Sequence, residues 1–289
     1  MRGGALATNM LSQLLSRRAL VLTLVKRDLK VRYKATALGF LWSFGRPLFL
    51  MLIMWGVFSH IVGVKTSIPY VLHLLTGILP WLYLQGSLHE AQGCILANGN
   101  VVKKVAMPSI VFPATAVLGN LIHLVLAMVI LSVFIVAYAI TTDPLLVPGW
   151  EIIFLPALVL LQTLLLLGIA LFLSSLNVFY RDVGSLAEIG VNAWFYLTPI
   201  IYQVQDARGQ LKDLSNTDIL YYFYLCNPMT PIIVGYRRVL YGQRLRLGPE
   251  IADGTLLVGL GISLAISLTL LALGAALFGR LSRRFADEL

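Results

Sequence analysis

The sequence predicts an all-α integral membrane protein with six transmembrane helices, an N-terminal amphipathic interface helix and short re-entrant helices on the outer side. Three observations lead there. Hydrophobic residues make up 58% of the 289 positions and charged residues only 12%, with a mean hydropathy of +0.85. Soluble domains carry about 25% charged residues. Apolar runs near the ~20 residues that cross a bilayer recur along the chain. The cations gather in short runs beside those segments, as the positive-inside rule expects. A net charge of +9 distributed this way points to membrane orientation and lipid headgroups, not nucleic acid.

The elements follow in order. Residues 1–46 form a cytoplasmic tail and interface helix, 47–279 a six-span domain with an outer gate region at 203–241, and 280–289 a second cytoplasmic tail. The interface helix rests on Leu22, Val25, Leu29 and Tyr33, whose three- and four-residue spacing puts them on one helix face. Lys26, Arg27, Lys30 and Lys34 lie on the flank and opposite side, with Asp28 and Arg32 as an i,i+4 pair. Such a helix lies in the membrane surface. It is either a basic flank that sets orientation or a docking helix for a partner.

The spans are expected at 47–64, 68–88, 110–140, 152–179, 185–202 and 255–279. Pro47 suits a first turn. The third is longer than a bilayer requires and should tilt. The fifth is the weakest, interrupted by Pro199. With both termini cytoplasmic, fifteen of the 22 Lys and Arg fall inside; six of the other seven belong to one long outer segment, where the rule has little force. Residues 1–16 show no apolar core before a small-residue cleavage site, so the first span is expected to be its own insertion signal. The topology places Cys94 and Cys226 on opposite sides of the membrane, so no disulfide framework is expected.

No catalytic and no metal residues are assigned. A Gly-rich phosphate loop ending in Lys-Ser or Lys-Thr is missing, which argues against a nucleotide-hydrolysing chain. His89-Glu90 lacks the second histidine of a zinc helix, and Gly261-Ile262-Ser263 does not continue into a nucleophile elbow. His60, His73 and His123 fall in expected spans, where a neutral histidine bonded to a neighbouring helix competes with a functional one.

Several polar and aromatic features remain. Residues 98–108 read as a short helix-capable loop closed by Pro108, with Lys103 and Lys104 aimed at an acidic or headgroup partner. Arg181 opens a charged inner turn, and Glu188 beyond it either pairs with Arg181 or Arg46 or serves a proton relay. In the sixth span Gly259, Ser263 and Ser267 repeat at four residues, with Gly261 and Ala265 beside them. Small residues so spaced allow close helix approach, within the subunit or between subunits. On the outer side, Trp194, Phe195, Tyr196, Pro199 and Tyr202 form an aromatic block broken by proline. Tyr221, Tyr224, Asn227 and Pro228 form a second, and Arg237-Arg238 with two prolines oppose a clean crossing between 220 and 241. Irregular backbone at membrane depth needs protein or a water-filled cavity to cover it. These residues therefore border a transport path, or form an interfacial aromatic belt.

Taken together, the run Lys26 to Lys34, Leu38-Gly39-Phe40-Leu41-Trp42, Pro47, Lys103 to Pro108 with Phe112-Pro113, Phe179 to Val183, the Trp194 to Tyr202 block and Asn227-Pro228 resemble the permease subunit of polysaccharide ABC exporters. That family moves O-antigen, capsule, teichoic acid and cell-wall galactan. The resemblance implies a single ABC-exporter transmembrane domain working with a second copy of itself, two cytoplasmic ATPase subunits, a lipid-linked polysaccharide and surrounding lipids, in a bacterial inner membrane. ATP and Mg would be held by the partner ATPase, and no cofactor by this chain. Lys26, Arg27, Lys30, Arg32, Tyr33, Lys34, Asn98, Asn100, Lys103, Lys104, Met107 and Pro108 would form the docking surface. The family's outer-gate helices would fall between 203 and 241. The rival readings are an ABC exporter of drugs or small lipids, a self-contained secondary transporter, and an integral membrane enzyme. The last two lack, respectively, an internal repeat and a clustered set of acids or histidines.

Overall fold

Apolar runs become long helices because a helix satisfies its own backbone, which lipid cannot do. The computed structural model describes residues 17–33, 70–104, 107–141, 149–204, 226–241 and 251–289, with isolated positions between 41 and 57. In chain order the helices are α1 (Arg18–Tyr33), α2 (Tyr70–Ala97), α3 (Gly99–Lys104), α4 (Val111–Thr141), α5 (Leu155–Phe179), α6 (Asp182–Tyr196), α7 (Met229–Tyr241), α8 (Asp253–Leu281) and α9 (Phe285–Glu288). A 3-10 turn, Trp150–Phe154, leads into α5, and another, Ser282–Arg284, leads into α9. The described residues are all-helical, with no strand.

Three segments are long and apolar enough to cross a membrane by length and composition: 111–137, 150–179 and 253–284. They correspond to the third, fourth and sixth expected spans. The second coincides with α2, which continues as helix to Ala97, well past the expected end at 88. The fifth is shorter than expected: α6 stops at Tyr196 and residues 197–202 turn. Most of the first span lies outside the described residues.

The main core gathers α2, α4, α5 and α7 around Leu84, Leu131, Leu165, Leu166, Ile232 and Tyr236. Helix α8 joins through α5, and the contact needs glycine on both sides. A Cβ at Gly168 would lie 2.6 Å from the Leu271 amide nitrogen, and one at Gly274 would collide with the Gly168 carbonyl. The Gly259, Ser263 and Ser267 stripe is buried on the same side of α8. A Cβ at Gly259 would stand 2.9 Å from Pro231, and Ser263 Oγ donates to the Pro228 carbonyl at 3.0 Å. That stripe therefore packs within the subunit. Gly261 has nothing within 4 Å, and Ala265 is exposed.

One local expectation changes. Among the described side chains of α1, Val21 and Val25 are buried against Val111 of α4, while Leu22 is exposed; the apolar face includes Val21 in place of Leu22. Asp28 pairs with neighbouring Arg27 at 2.8 Å; the side chain of Arg32, its expected partner, lies outside the described residues, as do those of Leu29 and Tyr33.

Leucine at Gly168 is expected to cost about 2–3 kcal/mol by overpacking, whereas leucine at Gly261 should stay within about 0.5 kcal/mol of the parent. Thermal unfolding in detergent reports the order, and equal losses would contradict the α5–α8 contact.

Candidate functional site

Two of the elements expected on the cytoplasmic side meet near the first turn of α4. Helix α1 lies on Val111, and Val101 and Val102 of α3 pack against the core that holds Ile110 and Phe112. Asn98 closes α2 and opens α3. Its Nδ2 donates to the Cys94 carbonyl at 2.8 Å, and its own carbonyl accepts from the amides of Val101 and Val102. Met107 packs in a second core with Ile95, Val178, Phe278 and Phe285. The Pro108 carbonyl accepts the Val111 amide, and so caps α4. Lys26, Arg27, Lys30, Asn100 and Lys103 are exposed. The side chains of Arg32, Tyr33 and Lys104, and Lys34 altogether, lie outside the described residues. The candidate docking residues thus divide: the described cations and Asn100 are exposed, while Asn98, Met107 and Pro108 are partly buried.

At the opposite end, Asn227 organises the break after α6. Its Oδ1 accepts from Trp194 Nε1 at 2.8 Å and from the Met229 amide at 3.1 Å, and its Nδ2 donates to the Leu197 carbonyl and to Thr198 Oγ1, each at 3.1 Å. A single side chain therefore caps α7 and satisfies the frayed end of α6. Trp194 also stands edge-on to buried Trp81, centroids 5.9 Å apart, and Phe195 lies 5.5 Å from the same ring. Pro199 is buried, and Pro228 is held by Ser263. Tyr202 is partly buried and donates to the Tyr196 carbonyl at 2.9 Å. Tyr196 itself is 71% exposed. So Trp194, Phe195, Pro199, Asn227 and Pro228 act as a packed joint, while Tyr196 presents its ring outward. Tyr221 and Tyr224 lie outside the described residues.

The inner end of α6 has a matching tie. Asn177 Oδ1 accepts the Gly184 amide at 3.1 Å, and Nδ2 donates to the Gln92 carbonyl at 2.8 Å. Among the described residues no ion pair joins Glu188 to Arg181, both of which are exposed, and Arg46, the other expected partner, lies outside the described residues.

Composition did not reveal the buried polar chain. Gln162 on α5 donates to the Pro80 carbonyl at 2.7 Å and accepts from Tyr236 Oη at 3.0 Å. Tyr83 and Thr163 share a bond of 3.0 Å. Arg237, read from sequence as opposing a clean crossing, is 2% exposed inside α7 and donates to the Ile200 carbonyl at 3.1 Å. Arg238 pairs with Asp253 on α8. Residues 229–241 are one continuous helix, because Pro231 falls in its first turn, where no amide is needed. The one sequence signal for Gln162, Asn177 and Arg237 is a strongly polar side chain within or beside an apolar run. Among the described residues no group of His, Cys, Asp and Glu could hold a metal.

This arrangement defines a multi-pass helical membrane protein with an exposed basic surface at one end and an aromatic, proline-broken joint at the other. The sequence pattern of the ABC-2 type transporter matches residues 19–241, and the chain belongs to that family of membrane permease components. It is 28% identical over 273 residues to the O-antigen export system permease protein RfbA of Myxococcus xanthus, covering 94% of this chain and 96% of the relative. It is 29% identical over 271 residues to the protein of the same name from Klebsiella pneumoniae, covering 93% and 95%.

Alanine at Asn227 should lower stability by about 2 kcal/mol, because the Trp194 and Met229 N–H groups lose their acceptor. Alanine at exposed Asn100 should change it by less than about 0.5 kcal/mol. Paired unfolding curves check this, and matching losses would remove Asn227 from its role as the joint.

Proposed function

We propose that this chain is the permease subunit of an ATP-driven exporter that carries a lipid-linked polysaccharide from the cytoplasmic to the outer face of a bacterial inner membrane. The observation that carries the reading is likeness along more than nine-tenths of its length to permeases named for O-antigen export. In this reading both termini are cytoplasmic, and the chain works beside a second copy and two ATPase subunits. ATP and Mg belong to those partners, and this chain hydrolyses nothing.

The chain's own part is mechanical. Lys26, Arg27, Lys30 and Lys103 meet acidic groups on the ATPase, and α3 passes its movement to α2 and α4 through Asn98 and Pro108. Interfaces packed this closely shift as rigid bodies. At the outer end, movement of α6 displaces the Asn227 joint and carries the exposed Tyr196 ring against the cargo. An aromatic ring lies flat on a sugar ring and tolerates any repeat unit, which suits a polymer.

Two results would test this. Reversal of Lys103 and Lys104 to Glu should cut recovery of the ATPase with the permease about tenfold, with membrane insertion intact; undiminished copurification and export would show that the docking surface lies elsewhere. Alanine at Tyr196 should slow polymer export about threefold to tenfold without lowering protein abundance. Normal export by that variant would leave Tyr196 in an interfacial belt.

A further inference from the structure

Helix α6 differs from every other long helix described: none of its side chains is buried. Successive residues turn by about 100°, which divides α6 into three sides. Gly184, Ala187, Val191 and Trp194 face α2 and α5 and are partly buried. Leu186, Ile189, Ala193 and Leu197 form an exposed apolar side. Ser185, Glu188, Asn192 and Tyr196 form an exposed polar side within an arc of about 80°, running about 16 Å along the helix.

The apolar side suits lipid or a second copy. In the six-span reading α6 lies at membrane depth, where a carboxyl and an amide facing hydrocarbon are costly, so the polar side suits neither lipid nor dry packing. Among the described residues no ion pair engages Glu188, and Arg181 stands before the first turn of the helix. A side chain so placed is soluble only beside water.

Resting on the polymer-export reading, we propose that the Ser185, Glu188, Asn192 and Tyr196 side of α6 lines the aqueous path, and that Glu188 makes the path selective for uncharged polysaccharide. Ser185, Asn192 and the Tyr196 hydroxyl exchange hydrogen bonds with sugar hydroxyls. The ring of Tyr196 gives a stacking surface at the outer end. Glu188 accepts hydrogen bonds from neutral sugars, but it repels a polymer whose repeat units carry carboxylates, as acidic rings repel anions in ion channels. Two copies of the chain would place two such charges on one path.

The test uses the permease with its ATPase in proteoliposomes, supplied with a lipid-diphosphate-linked neutral hexose oligomer or the same oligomer carrying hexuronate units. The parent complex should move the neutral cargo at least about tenfold faster, since like-charge juxtaposition in a confined site is strongly unfavourable. Glu188→Gln should narrow the ratio to within about twofold, and Glu188→Asp should preserve it. Equal rates in the parent, or an unchanged ratio in Glu188→Gln, would overturn the selectivity. Cysteine at 188 or 192, in a background lacking Cys94 and Cys226, should react with a water-soluble maleimide. Protection from the maleimide together with cross-linking between copies would make this side a subunit interface and overturn the lining role. If ATP is hydrolysed but neither polymer moves, the polymer-export reading itself fails, and this proposal with it.

Discussion

Everything in this fold answers to one constraint: a polar group at membrane depth finds its partner inside the protein or costs several kcal/mol. Regular helices meet it without help, so the informative places are those where helices stop, break or carry polar side chains. At three of them an amide side chain from another element completes the bonding. Gln162 takes up the Pro80 carbonyl, Asn177 the Gly184 amide, and Asn227 the loosened end of α6. Arg237 follows the same rule in its most demanding form, a buried cation directed at backbone carbonyls.

The consequence for α6 is unusual. It contributes no buried side chain to the core, yet it is fastened at both ends by asparagines on other segments. Its middle is held only by partial burial against α2 and α5. A helix fixed at its ends and lightly packed between them can shift sideways without unfolding, whereas α5 and α8, locked by glycine contacts, cannot. The division of labour between static and moving parts is thus written into where side chains are small, where they are large and where they are polar.

The sequence made the long helices legible because 111–141, 155–179 and 253–281 are apolar for many turns and flanked by recognisable stops. The boundaries of α2 were harder, since Gln85, His89, Glu90 and Gln92 lower its hydropathy without ending the helix. The aromatic block was visible, but its partition was not: Trp194 and Tyr196 are two residues apart and point to different sides, one toward Asn227 and Trp81, the other into the open. On α1 the expected Val25 is buried, but Val21 takes the place of Leu22, because the two are equally apolar and only the neighbouring Val111 chooses between them. The burial of Arg237 was not legible, because its carbonyl partners, 37 and 164 positions away, meet it only in the fold.

The glycine contact between α5 and α8 has an electrical side as well. Backbones that approach until Gly168 meets Leu271 leave no gap for a water file. A water file that would carry protons or small ions finds no room at that crossing. For a permease in a membrane that holds an electrical potential, two residues without side chains, Gly168 and Gly274, seal this part of its own body against leakage.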